Sequence, residues 1–233
     1  MRYRKIDGAG IIGIIFAACV IFILVNFIYP DITYLKTENP AKTSFMEYRE
    51  REWELNGKRQ KIEQTWVPYS RISPYLIKAV LIAEDDKFWN HEGFDYDSIE
   101  RAMIKNIKTR GFAAGGSTIS QQLAKNLYLT PSKNPMRKLR EAFLTIRIES
   151  TLPKRRILEI YLNVAEWGEG IFGIGAASRH YFGKRAAELD PYESARLAAV
   201  LPNPRRFDPL GDSSYVANRT RIIHSIMISR GIN

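Results

Sequence analysis

Apolar positions follow two different patterns along this chain. From Gly10 to Tyr29 they are almost unbroken, and no charged residue lies between Gly8 and Pro30. A helix of about 20 such residues spans roughly 30 Å, the thickness of a bilayer core. Arg2, Arg4 and Lys5 precede the run. By the positive-inside rule this predicts a cytoplasmic N-terminus (1–8), a transmembrane helix (9–29) and everything later on the outer side of the membrane. A cleaved signal peptide usually has a shorter apolar region, about 7–15 residues, closed by a small-x-small site. Cys19 follows Ala17-Ala18 in faint likeness to a lipoprotein site, but the apolar run continues to Tyr29. An uncleaved single-span anchor is the reading that fits.

After the run the pattern becomes mixed and then helical. Residues 30–65 are charged and irregular and read as a juxtamembrane linker, and Thr65-Trp66-Val67-Pro68-Tyr69 reads as a strand or extended segment. From Ser73 onward the helical period dominates. Ser73-Pro74, Asn134-Pro135 and Asp190-Pro191 each give an N-cap followed by proline at the first helical position. The spacing predicts helices near 74–87, 96–109, 118–129, 135–151, 154–163, 173–181 and 191–201, with a last one from about Ser214 to a stop at Gly231. Strand-like alternation is scarce and there is no internal repeat. Residues 66–233 are therefore expected to form a single, mainly α domain.

Charge and cysteine usage narrow the setting. Cys19 is the only cysteine and lies in the apolar run, so the exported part holds no disulfide and depends on its core for stability. The formal charge is +10, and most of that excess lies beyond the predicted span. A basic domain tethered at a bilayer suits anionic head groups or a diphosphate lipid. Nucleic acid fits the charge but not the side of the membrane, and no nucleic-acid-binding signature is present.

Three stretches carry candidate chemistry. In the first, Ile77, Leu81, Glu84 and Phe88 fall at i, i+4, i+7 and i+11, which sets Glu84 in an apolar stripe. Desolvation there raises a carboxylate's pKa and makes it a stronger base when ionised. Most glutamates at a helix end merely pair with a neighbour, here Lys87. His91 reads as orienting the Glu84 loop rather than as a metal ligand. The second stretch runs from Gly115 to Asn126, a glycine-rich turn entering a helix at Ser117 or Thr118. Gln121 and Gln122 sit beside Lys125 on its surface, while Ile119, Leu123 and Leu127 face the core. A loop entering a helix N-terminus with a lysine one turn up suits a phosphate or diphosphate; an ordinary amphipathic helix is the plain alternative. In the third, Arg137 and Glu141 are i,i+4. They form either a surface ion pair or a phosphate-holding cation fixed by a carboxylate. Lys154 opens the next helix, with Arg155 and Arg156 expected to be solvated. Gly168, Gly170, Gly173 and Gly175 mark a tight loop that approaches either a ligand or a neighbouring backbone.

Taken together these stretches resemble the peptidoglycan glycosyltransferases, glycosyltransferase family 51. The likeness rests on five segments in order: Glu84 to Gly93, Gly115 to Asn126, Arg137 to Glu141, Lys154 to Asn163, and Gly173 to Lys184. It covers roughly residues 66–230. The resemblance implies a lysozyme-like, two-lobed helical fold and the polymerisation of lipid II into β-1,4 glycan strands with release of undecaprenyl diphosphate. It also implies roles. Glu84 matches the general base and Glu141 the second essential glutamate; Lys125 and Arg137 match the donor-diphosphate site. Ser117, Gln121, Gln122 and Asn126 line the donor region by analogy, and Lys154 matches the basic residue of the fourth segment. No cofactor is required and no metal-ligand cluster stands out; a divalent cation, Mg or Mn, is compatible with the diphosphate. The expected partners are lipid II, the growing strand, the membrane and proteins of cell-wall synthesis or division.

Absent motifs add to the picture. Neither Ser-x-x-Lys nor Lys-Thr-Gly occurs, which points to a monofunctional polymerase without penicillin-binding chemistry. A glycan-cleaving enzyme of the same fold is the first rival, because one helical glutamate serves both chemistries. A non-catalytic scaffold is the second. The cation set at Lys125 and Arg137 favours synthesis. A flap at Gly111–Gly115, closing over substrate, is a further expectation.

Overall fold

A computed structural model describes residues 8–109, 115–131 and 134–232. The basic N-terminus and residues 111–114 of the expected flap lie outside the described residues. The fold is mainly helical. Helix α1 spans Gly8–Ile28, followed by α2 (Ser44–Leu55), α3 (Pro74–Glu84), α4 (Tyr96–Lys108), α5 (Ile119–Tyr128) and α6 (Pro135–Thr151). The C-terminal part holds α7 (Lys154–Val164), α8 (Gly173–Phe182), α9 (Pro191–Val200) and α10 (Ser214–Ser229). The predicted start signals operate as caps: the side chains of Ser73, Asn134 and Asp190 each accept a backbone N–H, with proline in the first turn of α3, α6 and α9.

Helix α1 has 21 residues, and its described apolar side chains other than the half-buried Phe22, Ile12 and Phe16 among them, are exposed. The side chains of residues 8–10, Cys19, Ile23, Asn26 and Phe27 lie outside the description. Counted over the described residues alone, no helix is long and apolar enough to cross a membrane. Helix α1 packs on α6 through an edge-on contact of Phe22 with Phe143, and Arg147 of α6 donates to the Pro30 carbonyl at 2.7 Å.

The core is one continuous cluster centred on α3, α5, α7 and α9. Leu76, Val80, Leu123, Leu158 and Leu197 are fully buried in it, and α9 and α10 pack together against α3. A small sheet stands beside it. Strand β1 (Glu63–Gln64) pairs in parallel with β3 (Ile171–Phe172), and β2 (Glu166–Gly168) pairs antiparallel to β3. The glycines of this region are packing glycines. A Cβ on Gly175 would lie 2.3 Å from the Thr65 carbonyl, and one on Gly173 would lie 2.4 Å from that of Asn163.

Two expectations are corrected. Residues 30–65 are no free linker, because Ile32, Leu35, Met46 and Trp53 are buried in the domain and α2 packs on α5. Their apolar positions are too widely spaced among charges to stand out as a periodic run. Arg156 is not solvated either. It donates to the carbonyls of Leu35 and Glu38 and to Glu159, tying this segment to α7, while Arg155 stacks over Tyr69. If residues 44–55 belong to the cooperative unit, Trp53→Ala should cost about 3–5 kcal/mol, the usual loss for a deleted core aromatic. Urea unfolding of the detergent-solubilised protein checks this; a linker residue would leave the midpoint unmoved.

Candidate active site

Glu84 is the last residue of α3, whose stripe of Leu76, Ile77, Val80 and Leu81 is buried. The helix ends earlier than its periodicity suggests because Asp85 turns to extended backbone, φ −164°, and puts its carboxylate to other use. The Glu84 side chain exposes 10% of its surface. Its Oε2 accepts from Gln122 Nε2 at 2.9 Å and its Oε1 from an Arg219 nitrogen at 3.3 Å. Gln122 is oriented in turn by Tyr161, whose hydroxyl donates to the amide oxygen at 3.0 Å. Burial raises the Glu84 pKa, against the opposing pull of the Gln122 amide, Arg219 and Lys125. Burial also holds the Tyr161 phenol well above its ordinary value, with Glu84 and Asp85 adding to the effect, so it stays a hydroxyl donor.

Asp85 organises the neighbouring turn. Its Oδ2 accepts the Ile119 N–H at 2.9 Å, and it accepts from His91 Nε2 at 2.9 Å. The Gly93 N–H donates to His91 Nδ1, which leaves Nε2 as the ring nitrogen that donates to Asp85. At the start of α5, Thr118 and Gln121 form a capping box: Thr118 N–H donates to Gln121 Oε1, and Gln121 N–H to Thr118 Oγ1. This corrects the expectation for the glycine-rich turn. The α5 terminus is filled by the protein's own Asp85, Thr118 and Gln121, and so is not an open seat for a phosphate. Gln121 is buried there, its side chain serving as part of the cap.

The cations gather at Lys125 of α5 and in the first turns of α6. Lys125 is half-buried, and desolvation lowers its pKa, with Glu141 and Glu84 pulling it back up and Arg137 and Lys138 pushing it down. It therefore lies in the field of both glutamates. Glu141 is buried on α6, where Arg137 donates to it at 2.9 Å and Lys138 pairs with its other oxygen. Lys138 also reaches Ser117 Oγ at 3.4 Å. Asn126 is buried one turn beyond Gln122. Lys154 sits in a separate group, paired with Glu149 at 2.7 Å and 4.5 Å above the Phe88 ring. A cleft of about 210 Å³ opens along Glu84, Asp86, Asp95, Ser98 and Ser117.

Thus the structure joins Glu84 to Gln122 and Glu141 to Arg137, with Lys125 in the field of both, and pairs Lys154 with Glu149 and Gln121 with Thr118. Three contributors have no assignment from sequence. Tyr161 reads there as core stripe, Arg219 lies in a distant helix without local signal, and Lys138, three residues before Glu141, is overshadowed by Arg137.

A desolvated carboxylate on one side and clustered cations on the other are the parts of a group-transfer enzyme whose leaving group is an anion. The chain belongs to the transglycosylase family, whose model matches residues 52–228. It is 45% identical over 218 residues to a biosynthetic peptidoglycan transglycosylase of Nitrosospira multiformis, covering 94% of this chain and 95% of that protein. It is 50% identical to that of Nitrosomonas eutropha over 194 residues, covering 83% and 80%. It is 47% identical to that of Chromobacterium violaceum over 207 residues, covering 88% and 91%.

Asp85 bridges α3 to α5, so its removal should be felt beyond the site. Asp85→Ala leaves the buried Ile119 N–H and His91 without their acceptor and should cost about 1–3 kcal/mol. Asp86→Ala, which loses only an exposed pair with Arg230, should stay within about 1 kcal/mol. Thermal unfolding of the two variants side by side distinguishes them.

Proposed function

We propose that this protein is a monofunctional peptidoglycan glycosyltransferase that polymerises lipid II into β-1,4 glycan strands. The observation that carries the reading is the desolvated Glu84 with Lys125 in its field and in that of the Glu141 cluster, in a chain of this family. Glu84 takes the proton from the 4-hydroxyl of the acceptor's N-acetylglucosamine. The oxygen attacks the anomeric carbon of the donor's N-acetylmuramic acid, and the bond to undecaprenyl diphosphate breaks with inversion. Lys125 and Arg137 meet the negative charge that grows on the diphosphate, and Glu141 fixes the geometry of Arg137 and Lys138. Ser117, Gln122 and Asn126 border the same region, and Lys154 supports it through Glu149 and Phe88. The two-lobed, lysozyme-like arrangement belongs to this proposal too.

The carboxylates nearest the site do not suit a resident divalent cation. Asp85 is committed to Ile119 and His91, Asp86 to Arg230, Asp95 to Ser98 and Glu141 to two cations. No group of three ligands occurs among the described residues. In this reading the chain's own cations face the diphosphate, and no step passes through a metal.

The membrane reading belongs here as well. Helix α1 has 21 uncharged residues, about 31 Å at 1.5 Å per residue. Helix α4 exposes Met103, Ile104 and Ile107 beside Lys105 and Lys108, a face suited to a bilayer surface. We place the chain in the bacterial cytoplasmic membrane as a single-pass protein with its catalytic domain on the outer side, where the polyprenyl tail of its substrate resides. Carbonate washing of membranes should leave the full chain in the pellet; release into the supernatant rejects the anchor.

The central test is polymerisation of fluorescent lipid II in detergent. Glu84→Gln should lower the rate by about 10²–10⁴, the range for a lost general base. Lys125→Ala should also abolish long products with the fold intact. In the wild type the rate should climb as pH rises through the elevated Glu84 pKa, because only the ionised form accepts a proton. The same group has an opposite effect on stability. A carboxylate whose folded pKa exceeds its unfolded value contributes stability below the unfolded pKa, and that contribution is lost as pH rises through the folded one. Glu84→Gln should therefore melt higher than wild type at neutral pH, with the gain vanishing below the ordinary carboxylate pKa. Equal melting temperatures across that range would argue against an ionised, desolvated Glu84.

A further inference from the structure

Arg219 stands outside all five segments that carry the family likeness, 135 positions from Glu84 in the chain. Helix α10 nonetheless brings it directly onto the carboxylate. One guanidinium nitrogen donates both to Glu84 Oε1, at 3.3 Å, and to the backbone carbonyl of Ala83, at 3.0 Å. A single donor shared between a side chain and the peptide just before it ties the carboxylate to its own helix end. The arginine is 30% exposed against 10% for the glutamate. It lines a second cleft of about 300 Å³ with Ile82, Tyr215, Ile222 and Ile226, so its approach is framed by apolar side chains.

The groups around Glu84 show what this contact must do. From α5 come the neutral Gln122 amide on Oε2 and, at longer range, Lys125. From α7 comes Tyr161, a phenol. Along the chain follow Asp85 and Asp86, and Asp95 shares the cleft; all three are acidic. Arg219 is the cation within ion-pair distance of Glu84 among the described residues. Lys125, the other nearby cation, is itself drawn toward Glu141. An opposite charge in contact favours ionisation of a carboxylate, which desolvation and neighbouring acids oppose.

We propose that Arg219 is a positioning residue for the transfer reaction, holding Glu84 in its ionised form and fixing the direction in which its oxygens face the acceptor hydroxyl. The inference rests on Glu84 acting as the base.

The test uses the full-length enzyme in detergent, with initial rates of fluorescent lipid II polymerisation measured across pH for wild type, Arg219→Gln, Arg219→Lys and Glu84→Gln. For Arg219→Gln the acidic limb of kcat/KM should move to higher pH. Its rate should fall about tenfold or more at the acidic end, one pKa unit or greater in effect. The deficit should shrink as pH rises, with KM near wild type. Arg219→Lys keeps a cation without the shared geometry, so its limb should stay near wild type while kcat falls. An equal loss at every pH in Arg219→Gln would reduce Arg219 to a structural part and overturn the proposal. A raised KM with unchanged kcat would also overturn it, by making Arg219 a direct substrate contact. If circular dichroism shows Arg219→Gln unfolded, Arg219→Lys decides: wild-type kcat, or a limb displaced like that of a neutral residue, rejects the proposal. Retained polymerisation by Glu84→Gln is a separate failure, that of the base assignment itself.

Discussion

An ionisable carboxylate buried at the end of an apolar helix stripe is the constraint on which this structure turns. Left alone, Glu84 would be protonated or would pull its helix end toward water. Four elements oppose that. Helix α3 carries it, Gln122 of α5 and Arg219 of α10 occupy its oxygens, and Tyr161 of α7 locks Gln122. Helix α10 packs on α3 and α5 packs on α7, and all four contribute to the one core cluster. Site and core are thus one construction. The residues that keep Glu84 dry also set its basicity, so a change in packing there is also a change in chemistry.

The second carboxylate is handled differently. Glu141 is buried but meets two cations directly, Arg137 and Lys138, on its own helix. One glutamate is desolvated with only partial compensation, and the other is neutralised and made into a fixture for cations. Helix α6 carries this fixture in its first turns and the contact with α1 further along, at Phe143 and Arg147.

Much of this was legible in the sequence where the signal is local. The caps at Ser73, Asn134 and Asp190, the stripe that buries Glu84 and the pairing of Arg137 with Glu141 all follow from spacing within one helix. What escaped depends on residues distant in the chain. Arg219 has no neighbour in sequence that hints at Glu84, and Tyr161 shows only the apolar period of α7. Residues 30–65 look like a linker because their few core residues, Leu35, Met46 and Trp53, are separated by charges; only the folded domain supplies the surfaces that bury them. The start of α5 was misleading for a related reason. A free helix terminus attracts anions, and the sequence could not show that Asp85 already occupies it.

That occupation has a consequence for catalysis. A diphosphate is present on the donor before the reaction and on the product after it, so tight binding of its ground-state charge would slow release without speeding bond breaking. Oriented amides at a helix end form a fixed cradle that would grip donor, transition state and product alike. By filling the α5 terminus with Asp85, Thr118 and Gln121, the chain leaves this work to lysine and arginine side chains. Lys125, desolvated and in the field of both glutamates, is the side chain proposed for it. Glu141 tempers the cluster further by taking part of the charge of Arg137 and Lys138. In the reaction proposed above, the site then answers mainly to the additional charge that appears as the anomeric bond breaks, which is the charge that distinguishes the transition state from the substrate.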